Sequence, residues 1–485
     1  VETAGRFSAR LRLLPLVKRL RGWAGGHWSR RAIVGICILA LIAATVAAWA
    51  LLARIALRSG QVPLQVALDA MDQGHTEQAR NLVSRMLTIG GLTHSEYGGP
   101  LFVLGAIKTY DAEHSASAEK RRVDFLVASR YLKEAQSYGF PPGREKAGSF
   151  LLAKSLLESN QFDEGIGILD ELLAAEAADG PMTWGIHWLL ANMCLWMPEP
   201  KLDKALAHSE KALENSELKA DDRADLLLDR AHCLARLGRF DDAREALDTI
   251  PAEANRRADV LVARAQFAFD EVDHRLQKTV AEEHASIVAA ASAQLDEALH
   301  WLDEAAALAK DDSQVVRRTG YLRGFGLKIK GDPEGALREF TRIRQLYGDT
   351  PEGVAAALGE ADLLRRAGDD AGALLGYRRV LESINNPAAY RSTVLPLFRV
   401  RERTLAALTD FTDRKRFEDA LVLLAHFPPL FSRTEELKFR GEMLERWGKL
   451  LLVDSPDDVW ESNETHKDGL RRLREAGLAY EQLAE

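Results

Sequence analysis

The sequence predicts an all-α chain built as a row of stacked antiparallel helix pairs, and three observations carry that prediction. Apolar residues recur at helical spacing along most of the 485 residues, while glycine falls mainly between the periodic stretches. One unit reads whole: Ala224 to Asn255, ADLLLDRAHCLARLGRFDDAREALDTIPAEAN, is an apolar helix, a turn at Leu237-Gly238-Arg239, a second helix and a break at Pro251. A landmark of that unit then recurs. A small residue early in the second helix, usually preceded by Gly-x-x-[DE]-x or a close variant, stands at Ala79, Gly165, Ala205, Ala243, Ala336, Ala373 and Ala420.

The physics of a helix pair explains why such a pattern repeats. Two backbones approach closely only where side chains are small, as at Ala231 and Ala243, with Leu227, Leu234, Leu247 and Ile250 filling around them. One pair cannot bury both faces of its apolar stripe, so neighbours stack and share a continuous core. Ala231, Leu234, Gly238, Ala243 and Leu247 stand where the tetratricopeptide repeat, a helix-turn-helix unit, keeps its signature residues. The chain resembles a tetratricopeptide array. That resemblance implies a right-handed superhelical solenoid whose groove is lined by the first helix of each pair. The intervals 165 to 205 to 243 and 336 to 373 run a few residues longer than the family's repeat, which fits longer helices or loops. Phe162, Phe240 and Phe417 echo one another three residues before the landmark.

Taken in order, the chain opens with a basic tail over 1–31. From Ala32 to Ala53 no residue is charged, and a helix of that length spans ~30 Å of hydrocarbon. A single transmembrane helix is therefore expected over 32–57, with membrane contact through 32–53. Arg6, Arg10, Arg12, Lys18, Arg19, Arg21, Arg30 and Arg31 precede it, whereas only Arg54 and Arg58 follow closely. By the positive-inside rule the chain is single-pass in an inner (cytoplasmic) membrane, with a cytoplasmic N-terminus and a periplasmic or extracytoplasmic array. A cleaved export signal stays open beside this reading, because Ser29 to Val34 partly resembles a twin-arginine motif and Ala47 and Ala48 are small.

The array is expected over 60–452 as about nine pairs. Seven carry the landmark. Two weaker units centre on Ala128, Leu132 and Ala135, with Leu101–Tyr110 as partner, and on Ala298, Leu302 and Ala305, with Ala258–Asp270 as partner. An insertion near 271–294 separates the halves of the latter. His274 and His284 lie in it, but their ten-residue spacing does not set ligands on one helical face, so no metal is expected. The HFPPLF run at His426–Phe431 forces a break. Residues 453–485 read as a loop and the start of a further helical unit, and the chain is expected to be truncated there, since an array normally closes with a polar-faced helix.

Charge excludes one class of function. Residues 59–485 hold 54 basic against 71 acidic side chains, and such a body does not suit nucleic acid. Catalysis leaves no trace: no P-loop, HExxH, GxSxG or dinucleotide fingerprint occurs, so no enzyme, catalytic residue or cofactor is expected. Three cysteines, Cys37, Cys194 and Cys233, cannot make a disulfide framework.

The resemblance also picks out groove positions on first helices. They are His232 and Arg236; Tyr321, Phe325 and Lys328; Arg365 and Arg366; and Phe150 and Lys154. This mixture of aromatic and basic residues suits an extended peptide of acidic character. Trp184, Trp188 and Trp196 form an aromatic cluster that is a second candidate surface. The expected function is a membrane-anchored scaffold binding a partner protein or peptide in the groove, for envelope assembly, secretion or complex organisation. The alternative is the docking or regulatory portion of a membrane-bound enzyme whose catalytic domain lies outside this sequence.

Overall fold

The computed structural model describes residues 64–484 apart from 90–91, 116–117, 176–179, 181, 198, 217, 310–312, 388–389 and 454–463. Every regular element among them is helical. In order these are α1 (Leu64–Asp72), α2 (Thr76–Ile89), α3 (Gly98–Glu113), α4 (Ala118–Tyr138), α5 (Glu145–Glu158), α6 (Phe162–Ala175) and α7 (Thr183–Trp196). Next come α8 (Leu202–Leu213), α9 (Ala220–Arg236), α10 (Phe240–Asp248), α11 (Arg257–Gln277), α12 (His284–Ala290), α13 (Ser292–Leu308) and α14 (Ser313–Lys330). The last are α15 (Pro333–Tyr347), α16 (Pro351–Arg366), α17 (Asp370–Ser383), α18 (Leu397–Asp413), α19 (Phe417–Ala425), α20 (Arg433–Val453) and α21 (Glu464–Ala484).

The chain forms two compact units, one reaching His114 and resuming over Arg130–Gly148, the other holding Ser115–Ser129 and Ser149–Glu485. In the first, α3 and the end of α4 approach so closely that a Cβ on Gly105 would lie 2.5 Å from the Leu132 side chain. An ion pair of 2.7 Å joins Arg80 to Asp111. In the second, helices pair in sequence and the pairs stack, sharing one long apolar core from Val262 to Ala476.

The landmark residue explains the pairing. Each of the seven is the fourth residue of its helix (α2, α6, α8, α10, α15, α17 and α19), and every one is buried. The turn before it is equally regular. Five residues upstream of Ala79, Gly165, Ala243, Ala336, Ala373 and Ala420, the backbone is left-handed at Gly74, Asn160, Gly238, Gly331, Gly368 and Lys415. At Gly331 this lets two N–H groups fold back: its own donates to the Lys328 carbonyl (3.2 Å), and that of Asp332 donates to Leu327 (2.9 Å). Asp332 then caps the next helix, its carboxylate accepting from the Gly335 N–H at 2.8 Å. The weaker units also hold, since Ala128, Leu132, Ala135, Ala298, Leu302 and Ala305 are all fully buried. The insertion at 271–294 extends α11 to Gln277 and adds the short α12.

One expectation about the fold is corrected. The all-helical solenoid stands, but among the described residues no helix is long and apolar enough to cross a membrane. The stretch expected to do so, residues 32–57, lies outside the described residues, as do the basic tail 1–31 and most of the loop after 453.

Ala243 offers the sharpest test of the pairing, because it has no exposed surface and sits among Ala231, Leu234 and Leu247. Ala243→Leu should wedge α9 from α10 and destabilise the unit by ~1–3 kcal/mol, read as a lowered denaturation midpoint. An unchanged midpoint would refute close packing there.

Candidate functional site

First helices follow one another as neighbours along the second unit: α9 touches α11, α11 touches α14, α14 touches α16, and α16 touches α18. Together with Gly238, Phe240, the short α12 and the segment Val394–Pro396 they line a cavity of about 550 Å³. Seven of the nine predicted groove residues line it: His232 and Arg236 on α9, Tyr321, Phe325 and Lys328 on α14, and Arg365 and Arg366 on α16. Phe150 and Lys154 do not. They lie on α5, where Phe150 packs into a separate apolar cluster with Ile186 and Leu190.

The aromatic cluster divides in two. Trp184 and Trp188 stack with ring centroids 6.0 Å apart on α7. Trp196 instead packs beneath a cavity-lining residue: the Arg236 guanidinium lies 4.2 Å over its ring. One Arg236 Nη donates to the Leu195 carbonyl at 2.7 Å, and burial draws the guanidinium pKa down to about 10. His232 is wedged edge-on between Trp196 and Phe267. Burial, then the charges of Arg236 and Arg318, pushes its pKa down to about 3, so it is a neutral packing residue.

Deeper in, Asp362 organises a network. It accepts from Arg403 at 2.7 Å and from the Tyr377 hydroxyl at 2.5 Å. Arg365 donates to the Tyr377 oxygen (3.0 Å) and pairs with Asp410 (2.9 Å). Burial alone would raise the Asp362 carboxyl, but Arg403, the Tyr377 hydroxyl and Lys328 outweigh it and hold it below the usual carboxylate range. Asp270 has no such rescue. Burial and the neighbouring charge of Asp273 raise it to about 7 despite Arg399 and Arg236. Gln266 anchors the cavity's edge by donating to the Thr393 carbonyl at 2.8 Å.

The groove reading missed Gln266, Asp270 and Asp273 on α11 and Arg399, Glu402 and Arg403 on α18. A signal existed for the first two. They stand one and five residues after the fully buried Ala265, the same offsets that relate His232 and Arg236 to Ala231. On α18 the fully buried Ala407 could serve as the register residue, but the same offsets lead to Leu408 and Thr412 and not to Arg399, Glu402 or Arg403. His274 and His284 both line the cavity, yet among the described residues no group of three or more His, Cys, Asp or Glu stands close enough to hold a metal.

Fold and cavity together define a helical-repeat binding protein with a charged concave recess. Models of the tetratricopeptide repeat match residues 200–267 and residues 330–389, which supports the tetratricopeptide family for the array. No curated protein matches the chain. Among solved structures, the chain is similar to the human IFIT1 dimer with PPP-AAAA, at 13% identity and a TM-score of 0.41, over 89% of this chain and 92% of that one. A monomeric IFIT1 mutant with Gppp-AAAA aligns at 12% identity and the same score, over 87% of this chain and 89% of that one. Likeness at this level carries no argument about ligands.

Asp270 gives a prediction with a definite sign. Its folded pKa lies above the unfolded value of ~4, so the native state binds the proton more tightly and loses stability as pH rises from about 4 through 7. Asp270→Asn removes that loss. The variant should be more stable than the parent at pH ~8 by ~1 kcal/mol or more, with the gap closing toward pH ~4. Parallel pH–stability curves would contradict a raised Asp270 pKa.

Proposed function

We propose that the protein is an interaction scaffold which holds a segment of a partner protein in the cavity lined by α9, α11, α14, α16 and α18. The repeats support the scaffold class. The observation that carries the finer reading is the lining itself: Tyr321 and Phe325 stack with centroids 6.3 Å apart, and Arg236, Lys328, Arg366, Arg399 and Arg403 surround them. An aromatic floor with cationic walls fits an extended peptide bearing acidic residues, which supplies apolar contact and counter-charge together. The volume of about 550 Å³ admits a few residues of chain and not a folded domain. The protein is proposed as a binder and not as an enzyme. It acts in assembly, secretion or complex organisation in the cell envelope. That placement rests on the basic excess ahead of the apolar run at 32–53, and fractionation that leaves the array in the cytoplasm contradicts it.

The test uses a partner captured by the full chain and then purified. Phe325→Ala and Arg366→Glu should each weaken its binding by about tenfold or more. Phe150→Ala and Lys154→Gln, outside the cavity, should leave the affinity unchanged. Binding should also weaken with salt, as expected for an acidic segment. If the α5 variants lose affinity while the cavity variants keep it, the cavity is not the binding surface.

A further inference from the structure

Away from the cavity, one polar contact crosses the interior of a helix pair. His187 on α7 and His208 on α8 meet Nδ1 to Nδ1 at 3.0 Å, with ring centroids 5.2 Å apart and planes tilted by 34°. His187 is only 8% exposed, and His208 is half-buried beside the buried Ser209. Two facing nitrogens bond only if one ring donates and the other accepts. At neutral pH the imidazoles are therefore different tautomers, one protonated on Nδ1 and the other on Nε2. The surroundings disfavour added positive charge. On α8 stand Lys204 and Lys211, and only Asp170 of α6 opposes them at His208. Arg230 of α9 is engaged with Glu210 at 3.8 Å, and α5 meets α7 through the apolar Phe150, Ala153 and Leu157. Burial first, then His208 and Lys211, pushes the His187 pKa down to about 4. Burial first, then Lys211, lowers His208 as well, with Asp170 opposing and Lys204 adding to the fall.

We propose that His187 and His208 form an acid-sensitive latch, which holds α7 against α8 while the pair carries at most one added proton and releases when both rings are charged. The latch is independent of what the cavity binds. A first added proton keeps the bond, because a charged ring still donates from Nδ1 to its neutral neighbour. The second leaves two N–H groups face to face with no acceptor between them, and it sets two like charges side by side in a poorly hydrated place. The rings satisfy those donors only by parting toward water, which draws α8 off α7. Both rings hold protons less tightly folded than unfolded. The stability they contribute is therefore complete above pH ~6.5 and is lost as the pH falls toward about 4.

The test follows the histidine rings of the full chain, labelled with nitrogen-15, by NMR from pH ~8 down to ~3. The two signals are identified by their loss in His187→Asn and His208→Asn; should one variant fail to fold, the other assigns one ring and the ring-to-ring contact assigns its partner. At the alkaline end the rings should show opposite tautomers. Protons should then enter in two steps at least about one pH unit apart, both below ~6.5. The through-space contact between the rings should survive the first step and vanish in the second. Rings of one tautomer, a common midpoint near ~6.5, or a contact that persists with both rings charged would each overturn the latch. Denaturation midpoints give a second reading. His208→Asn leaves His187 a neutral hydrogen-bonding neighbour, so it should lose less stability than the parent between pH ~7 and ~5. Asp270 and His232 titrate alike in both proteins and cancel in the difference. Parallel midpoint curves for parent and variant would likewise overturn the latch.

Discussion

Close approach of two helix backbones at one small residue is the constraint on which the array depends. A side chain at Ala243 or Ala336 larger than a methyl group would hold the second helix away from the first, because both residues are fully buried. Its regular place, the fourth residue after the turn, couples that contact to the left-handed backbone five positions earlier. Where glycine is absent from the turn, Asn160 and Lys415 adopt the same conformation at some cost, which shows how strongly the reversal is imposed. Each pair so closed leaves its first helix facing the next first helix. The cavity is therefore a consequence of the repeat, and its chemistry is set by whichever residues fall on that face.

That face was legible from the sequence where the repeat marks it. Tyr321, Phe325, Lys328, Arg365 and Arg366 could be placed because Gly324 and Ala361 fix the register of their helices. The offsets that found them also reach Gln266 and Asp270 once Ala265 is taken as the register residue of α11. Arg403 was invisible for a physical reason: it lies four residues before the buried Ala407 of α18, off the offsets that mark the groove, and its place in the cavity depends on Asp362, 41 positions away. The same offsets also gave Phe150 and Lys154, which lie outside this cavity. The register on α5 is right, since Ala153 is fully buried, but the cavity is built by helices further along the chain. Sequence periodicity reports which way a side chain faces its own pair, and only the stacking of several pairs decides what it meets beyond.

Electrostatics separates residues that hold the cavity from those free to act in it. Asp362, Tyr377, Arg365, Arg403 and Asp410 satisfy one another, and a network so complete tends to fix a wall instead of binding a ligand. His232, neutral and wedged between rings, is likewise a wall residue, although its position first marked it as a groove candidate. Lys328 and Arg366 stand outside that network, and burial with the neighbouring charge of Asp273 raises the Asp270 carboxyl to about 7.

Hydrogen-exchange mass spectrometry of the full chain, alone and with its purified partner, tests the central claim most directly. Partner binding should slow exchange at the cavity-lining ends of α9, α11, α14, α16 and α18 while leaving α15, α17 and α19 unchanged. Protection confined to those second helices, or to α5 and α6, would contradict the account.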